Sequence, residues 1–214
     1  MAGPNQDDPA PVRRGRRPGA GDSREDILRA AREVFGEEGF QRATIRRIGA
    51  RAGVDAKLVH YYFGSKEDLF SHLLQEAFEQ VGAPELLAWR ERPEGSSFTQ
   101  LFLLSLLSTL DQPGLGPVFV GLIRGLGSDE ESRQLFLRFI STQIKGQMMP
   151  LLPGPDPELR VTLAGAQMLG LVMTRYVVQV PPVSTMSPTE LAVLISPTLD
   201  RYLFGSLEDL SPSD

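Results

Sequence analysis

Cysteine is absent from this chain of 214 residues, which excludes disulfide bonds and thiolate chemistry. With two histidines in the whole sequence, a metal site built from imidazole and thiolate ligands is not expected either. No uncharged apolar run reaches the roughly 18 residues of a membrane-spanning helix. The polar start, rich in proline and arginine, lacks the apolar segment of a secretory signal. We therefore expect a cytoplasmic protein without disulfides, a bound metal or a membrane span.

Motifs for common catalytic chemistry are missing as well. The sequence has no paired nucleophile and base, no carboxylate cluster with metal-ligand spacing and no glycine-rich phosphate-binding loop. We expect neither an enzyme nor a cofactor. Hydrophobic residues make up 41% of the chain, which is enough for the packed core of one large domain or two smaller ones.

Charge is divided unevenly along the chain. The formal net charge is −5, yet residues 12–66 contain thirteen basic and seven acidic residues. Residues 67–214 contain nine basic and eighteen acidic residues. A basic N-terminal third on an acidic body is typical of a nucleic-acid-binding head joined to a separate regulatory part, although ordinary solvated surface charge gives the same balance.

Residues 44–66, TIRRIGARAGVDAKLVHYYFGSK, have the pattern of two short helices joined by a tight turn. Thr44 can cap the first helix through its hydroxyl, and Asp55 can cap the second, over residues 56–62. Gly53 can adopt the left-handed conformation that the corner between them requires. This arrangement is the one that places a helix in the major groove of DNA.

An ordered series of landmarks surrounds this motif at fixed spacing. The segments are ILRAAREVF (27–35), GEEGF (36–40), TI (44–45), IG (48–49), AGV (52–54), VHYYF (59–63) and SKEDLF (65–70). They lie within a match over roughly residues 23–71 and resemble the TetR (tetracycline-repressor) family of bacterial transcriptional regulators. The resemblance implies an N-terminal three-helix DNA-binding head, a larger helical body, a homodimer and a small-molecule effector.

The remainder of the chain is helical in pattern, without alternating strand signals. We predict an all-α protein of about nine or ten helices, with a disordered basic tail (1–21), a helix-turn-helix domain (22–66) and a regulatory and dimerisation domain (67–214). Ser23 with Asp26 should cap the first helix, and Ser65 with Asp68 the fourth. Later helices are expected at residues 98–110, 117–126, 130–149, 158–180 and 188–204.

Candidate DNA contacts lie in and around the second helix of the motif, whose first turn and one face should meet base edges. The base-reading candidates, which the resemblance also assigns, are Arg46, Ala56, Lys57 and His60. The phosphate candidates are Thr44, Tyr62 and Lys66. Tyr61 and Phe63 are expected in the core. The arginine arm (Arg13, Arg14, Arg16 and Arg17) either follows phosphates or enters a minor groove, or is only a solubilising tail.

Two further sites are expected in the body. Small residues beside large apolar ones in the last two helices indicate close helix packing, and the resemblance implies a four-helix dimer interface there. The interface candidates are Gly165, Leu169, Val172, Leu191, Leu194, Ile195, Leu199 and Tyr202; packing within one chain is the alternative. The resemblance also implies an effector pocket, for which the candidates are Phe102, Phe119, Ile123, Arg124, Gln143, Gln147, Met173 and Tyr176.

These features predict a sequence-specific transcriptional regulator of the bacterial cytoplasm, associated with the nucleoid. In this interpretation it is a homodimeric repressor that a small molecule releases from a palindromic operator in double-stranded DNA. The alternatives are a helical enzyme and a dimeric adaptor that does not bind an operator.

Overall fold

A computed structural model describes residues 20–88, 97–152 and 154–207, and within these ranges the chain is helical without strands. The α-helices are α1 (Ala20–Arg42), α2 (Ile45–Ala52), α3 (Ala56–Phe63), α4 (Lys66–Val81), α5 (Ala83–Ala88), α6 (Phe98–Asp111), α7 (Leu115–Gly125), α8 (Glu130–Phe139), α9 (Pro157–Val172) and α10 (Pro188–Phe204). A π-helical segment, Ile140–Met148, and a 3₁₀ turn, Met149–Leu151, continue α8, and a second π-helical segment, Met173–Val177, continues α9. The all-α prediction is confirmed. Among the described helices none is by itself long and apolar enough to cross a bilayer, and α6 with α7 satisfies that criterion only as a pair bent by 96°.

Helix α1 begins at Ala20, before the start predicted from a capping box of Ser23 and Asp26. That predicted start is wrong. Ser23 lies inside the helix and is 8% exposed, and the Asp26 carboxylate pairs with Arg29 at 2.5 Å. In this ion pair the Asp26 carboxylate is directed to Arg29, one turn further along the helix, rather than back to the backbone N–H of Ser23. At the other end, Gly39 leaves helical geometry with φ 73°, and Phe40 then packs against the core.

Apolar side chains of the N-terminal head and of the body form one continuous core. The ring of Phe70 on α4 lies edge-on to Phe35 and Phe40, with centroids 4.8 Å and 5.0 Å away. Residues of α7 and α8 complete the same cluster, namely Leu115, Val118, Leu122 and Leu135. The head therefore cannot separate from the body without exposing buried apolar surface to water, at a cost of about 25 cal/mol per Å².

Close contacts also hold α1 on the body. At Gly36 a Cβ atom would lie 2.9 Å from Cβ of Pro117, so the absence of a side chain permits α1 and α7 to approach. Near the end of α1, the Gln41 amide donates to the carboxylates of Asp129 and Glu131. Asp129 is the residue that caps α8 through the backbone N–H groups that follow it. The end of α1, which leads into the helix-turn-helix, is thus tied to the start of α8.

A second core lies between α6, α9, α10 and the end of α4. Its buried members include Phe78, Phe98, Leu103, Leu107, Leu171, Leu191 and Leu199. Polar groups fix α10 across this core, because the Thr99 hydroxyl of α6 donates to Asp200 at 2.7 Å. From α9, the buried guanidinium of Arg160 donates to the carbonyls of Tyr202 at 3.0 Å and Gly205 at 2.8 Å. The last two helices are therefore fixed to each other and to the body.

Candidate nucleic-acid interface

The corner between α2 and α3 has the geometry that the sequence predicts. Thr44 caps α2 by accepting a hydrogen bond from the backbone N–H of Arg47 at 3.2 Å. Gly53 is left-handed, with φ 71° and ψ 25°, and the N–H of Val54 returns to the carbonyl of Gly49 at 2.9 Å. Asp55 then caps α3 by accepting from the N–H of Lys57 at 2.8 Å. The predicted caps and corner are confirmed, so the position of α3 on α2 is well defined.

The three arginines of α2 differ in what they bind within the protein. Arg47 pairs with Glu38 of α1 at 2.7 Å. Arg51 forms ion pairs with Glu33 at 2.9 Å and Glu37 at 3.0 Å, and these carboxylates raise the pKa of the Arg51 guanidinium. Arg46 is exposed and has no ion-pair partner among the residues that the structure describes. Its guanidinium is therefore available to an external acceptor.

Helix α3 rests on the core by one face and exposes the other. Val59 is completely buried, and Tyr62 and Phe63, three and four residues later, pack against the same cluster. Lys57 and His60 are exposed, whereas Ala56 is half-buried. The Nδ1 atom of His60 lies 2.7 Å from the carbonyl of Gly64. Because a carbonyl only accepts, Nδ1 carries the proton, and Nε2 of a neutral ring is left as an acceptor.

The prediction that Tyr61 belongs to the core is wrong. Its side chain is 80% exposed, and its ring lies edge-on to Tyr62 with centroids 5.3 Å apart. Tyr61 follows Val59 by two residues, which places it on the opposite side of a helix from the buried face. Only Phe63 of the predicted core pair packs inward. The outer face of α3 therefore carries one large exposed side chain that is not among the predicted DNA contacts.

The three phosphate candidates lie at or near the ends of helices in the head. The Lys66 ammonium donates to the carbonyl of Phe40 at 3.2 Å and lies 4.1 Å from the centre of that ring. Lys66 begins α4, whose capping box of Ser65 and Asp68 forms as predicted. In this box the hydroxyl and the backbone N–H of Ser65 donate to the Asp68 carboxylate, and these hydrogen bonds lower the pKa of the Asp68 carboxyl. Thr44 is exposed at the N-terminus of α2. Tyr62 is half-buried. The arginine arm lies outside the described residues.

The predicted effector residues differ in burial and in contacts. A cleft of about 330 Å³ lies between α4 and α8, and of the eight candidates it is lined by Gln143 alone. Ile123 is 3% exposed in the core, and Phe102 and Phe119 pack against Phe98 and Phe139. Tyr176 donates to Asp111 at 2.8 Å, and burial raises the pKa of its phenol. The other three are half-buried or exposed: Arg124, Gln147 and Met173. Helical periodicity marks inward-facing side chains, but it does not distinguish those that fill the core from those that line a cavity.

The predicted interface residues divide into two groups. Val172, Leu191 and Leu199 are at most 3% exposed within a single chain, so the structure gives them no surface for a partner. Leu194 is 64% exposed, and Gly165 is also exposed. Leu169, Ile195 and Tyr202 are half-buried. The outward face of α10 includes a further apolar residue that the sequence analysis did not select, Val193, which is 51% exposed.

A helix-turn-helix head on a helical body defines the class of helix-turn-helix regulatory proteins. Residues 27–73 match the model of the bacterial regulatory proteins of the tetR family. Residues 97–203, half of the chain, match the model of the tetracyclin repressor-like C-terminal domain. The chain belongs to the TetR family, as the landmarks over residues 23–71 predict.

Individual relatives agree with this assignment. The HTH-type transcriptional repressor NicS of Pseudomonas putida is 38% identical over 63 residues, which cover 29% of this chain and 30% of NicS. AcnR of Corynebacterium glutamicum, also an HTH-type transcriptional repressor, is 41% identical over 54 residues, 25% of this chain and 29% of AcnR. The chain therefore matches less than a third of the length of these relatives.

Solved structures extend the likeness to nearly the whole chain. A TetR-family regulator from Streptomyces coelicolor A3 is 28% identical and superposes with a TM-score of 0.61, over 88% of this chain and 98% of that one. SmeT in complex with triclosan has a TM-score of 0.59 at 19% identity, over 85% of this chain and 90% of that one. The second likeness concerns the fold alone.

Proposed function

We propose that this protein is a sequence-specific, DNA-binding transcriptional regulator, and that it acts as a repressor in the bacterial cytoplasm, in association with the nucleoid. The observation that carries the proposal is the outer face of the head. Arg46 has no ion-pair partner in the described part of the chain, and Lys57, His60 and Tyr61 are exposed on α3, while the buried side of the same helix is fixed on the core. Residues 22–66 bind DNA in this proposal, and residues 67–214 regulate that binding.

Each side chain of this face suits a definite kind of DNA contact. Arg46 can donate two hydrogen bonds to guanine O6 and N7, which is the commonest base-specific contact in the major groove. Lys57 and half-buried Ala56 lie in the first turn of α3, and His60 lies one turn later, where Nε2 of the neutral ring is an acceptor for a base amino group. Thr44, Tyr62 and Lys66 then position the head on phosphates. Tyr61 joins this set as a contact to the DNA backbone.

The experiment that tests the function is selection of bound sequences from a pool of random duplexes. Two heads related by a two-fold axis should retain duplexes with an inverted repeat, whose half-sites are about 34–36 Å apart or a multiple of that distance. Retained duplexes without a shared sequence would show that the basic head binds DNA only through its charge.

The arginine arm is proposed to follow phosphates beside the head. Replacing Arg13, Arg14, Arg16 and Arg17 with glutamine keeps the length of the tail and removes its charge. The slope of log affinity against log salt is negative. For each replaced arginine that contacts a phosphate, its magnitude should fall by about 0.9. The measurement is a series of anisotropy titrations at increasing salt. A slope that the four substitutions leave unchanged would assign the arm to solubility alone.

We also propose that two copies of the chain pair through the outward faces of α9 and α10. Leu194 and Val193 expose apolar surface on α10, and a Cβ atom at Gly165 or Gly170 of α9 would meet nothing within 4 Å. Backbones of a partner's helices can approach closely at such glycines, and the paired helices would give the four-helix interface that is typical of the family.

The test of this interface is Leu194→Asp. It should raise the dimer dissociation constant by at least about a hundredfold, because two-fold symmetry places the buried charge on both copies. Light scattering over a dilution series measures the effect. Leu137→Asp on α8, where the leucine is 48% exposed, is the matched control and should leave the dimer intact. Equal effects of the two substitutions would refute this interface.

A small-molecule effector is part of the proposal. The effector must bind the DNA-incompetent state of the dimer more tightly than the competent state, since a ligand with equal affinity for both shifts nothing. The core that joins α1, α4, α7 and α8 supports such coupling, because the head and the body share buried side chains.

A further inference from the structure

Asp55 is the one acidic residue of the segment 44–66, which contains both helices of the helix-turn-helix. Its side chain is exposed, and Oδ1 caps α3 by accepting from the backbone N–H of Lys57 at 2.8 Å. In the described part of the chain the other oxygen, Oδ2, accepts no hydrogen bond, and Asp55 forms no ion pair. The cap therefore uses one of the two carboxylate oxygens and leaves the second available as an acceptor.

Capping alone does not require a carboxylate at this position. Serine and asparagine cap a helix about as well as aspartate does. Four other helices of the described chain are capped through a hydroxyl group, by Thr44, Ser65, Ser97 and Ser187. A negative charge on the DNA-facing side of the head repels phosphates and so weakens the binding of every sequence. A contact that compensates for this repulsion at selected sites has to involve the bases.

The backbone on both sides of Asp55 is held against α2. The N–H of Val54 donates to the carbonyl of Gly49 at 2.9 Å. A Cβ atom at Gly49 would lie 3.0 Å from the carbonyl oxygen of Val54 and 3.4 Å from the backbone nitrogen of Ala56, so the missing side chain permits this close packing. The carbonyl of Asp55 itself accepts from the N–H of Leu58 at 2.9 Å. The free carboxylate oxygen is thus presented from a well-defined backbone position, which recognition of a single base requires.

The chemistry of a carboxylate restricts which base it can bind. A carboxylate oxygen accepts hydrogen bonds and donates none. In the major groove only the amino groups of cytosine and adenine donate, whereas guanine O6 and N7 and thymine O4 accept. Adenine places its N7 acceptor beside the amino group, where it repels a carboxylate, and cytosine offers N4 without an acceptor on its own edge. Cytosine is therefore the base that suits a carboxylate at the start of a recognition helix.

We propose that Asp55 recognises a cytosine in each half-site, by accepting a hydrogen bond from the N4 amino group through the oxygen that the cap leaves free. This assignment rests on the proposed DNA-binding function. It adds an acceptor to a face on which Arg46 and Lys57 are donors. Guanine and thymine are excluded at the contacted position, because their major-groove acceptors repel the carboxylate.

The test places N4-methylcytosine in turn at each cytosine of the selected half-site. This base still pairs with guanine, and its methyl group replaces the amino hydrogen that faces the major groove. At one position the methyl group should weaken binding by the wild type about tenfold, the ratio expected of a hydrogen bond to a charged group. Asp55→Ser retains a capping hydroxyl and should bind the methylated and unmethylated duplexes equally. Anisotropy titrations at one salt concentration measure the four affinities.

Glu67→Gln is the matched control for charge. Glu67 is the second residue of α4, and its replacement removes the same charge from a residue outside α3. It should strengthen binding to all duplexes alike and preserve the tenfold effect of the methyl group. Asp55→Asn keeps the cap and converts the free oxygen into an NH₂ donor, so this variant should lose the preference for cytosine as well.

Two outcomes overturn the assignment and leave Asp55 as a helix cap only. In the first, the methyl group weakens binding equally in the wild type and in Asp55→Ser. In the second, it has no effect at any cytosine, or the selected half-site contains none. Failure of the proposed function is a separate result, because selection would then retain no shared sequence, and the assignment of Asp55 would fail with it.

Discussion

Phe35→Ala should lower the free energy of unfolding by about 3–5 kcal/mol, the range for removal of a buried phenylalanine side chain. Phe35 is completely buried, and its ring contacts those of Phe40 and Phe70 at centroid distances of 6.1 Å and 4.8 Å. The cavity would open at the centre of the core that the head shares with α7. Since many domains are stable by only about 5–15 kcal/mol, the variant should be close to unfolding at physiological temperature.

The measurement is urea unfolding at a fixed protein concentration, followed by helical circular dichroism and in parallel by DNA binding. One shared core predicts that both signals are lost over the same urea range in the wild type and shift together in Phe35→Ala. Phe204→Ala is the control, because that ring is 39% exposed and its removal should cost much less. If DNA binding were lost well before the helical signal, the head would be an independent unit and the shared core would not couple it to the body.

Arg46→Ala should weaken binding to the selected duplex by about 1–3 kcal/mol and relax the base preference at one position of each half-site. Unfolding should not change, because the Arg46 side chain is exposed and forms no ion pair in the described part of the chain. A phosphate contact would instead weaken binding to all sequences nearly equally. Mobility-shift titrations against the selected duplex and single-base variants separate these two roles.

Arg133→Ala is the control for charge, since it removes one arginine that lies outside the helix-turn-helix and pairs with Glu130. It should leave both affinity and base preference unchanged. Unchanged affinity of Arg46→Ala for the selected duplex would remove Arg46 from the base-reading set, and the assignment of that guanine contact would pass to Lys57.

Local signals in the sequence predict the corner of the helix-turn-helix and the caps of α2, α3 and α4. The caps at Thr44, Asp55 and Ser65 and the left-handed Gly53 are short-range features, because each depends on residues within four positions along the chain. The prediction for Tyr61 fails for another reason. Three aromatic residues in succession give no periodicity of their own, and only the spacing of two residues from Val59 places Tyr61 on the outer face.

Longer-range features could not be predicted in the same way. The division of charge suggests a separate head, yet Leu115, Val118 and Leu122 of α7 belong to the core of α1 and α4. Apolar spacing equally marks Leu191 and Leu199 as inward-facing, and it does not tell whether they face the same chain or a partner. These assignments depend on which helices meet in space, and helical periodicity contains no information on that.

The most direct measurement for the whole account is the ratio of affinities for the selected duplex and for a scrambled duplex of equal length and composition, at physiological salt. A sequence-reading regulator predicts that the selected duplex binds at least about a thousandfold more tightly. Equal affinities for the two duplexes would contradict sequence recognition, because charge alone would then explain the binding.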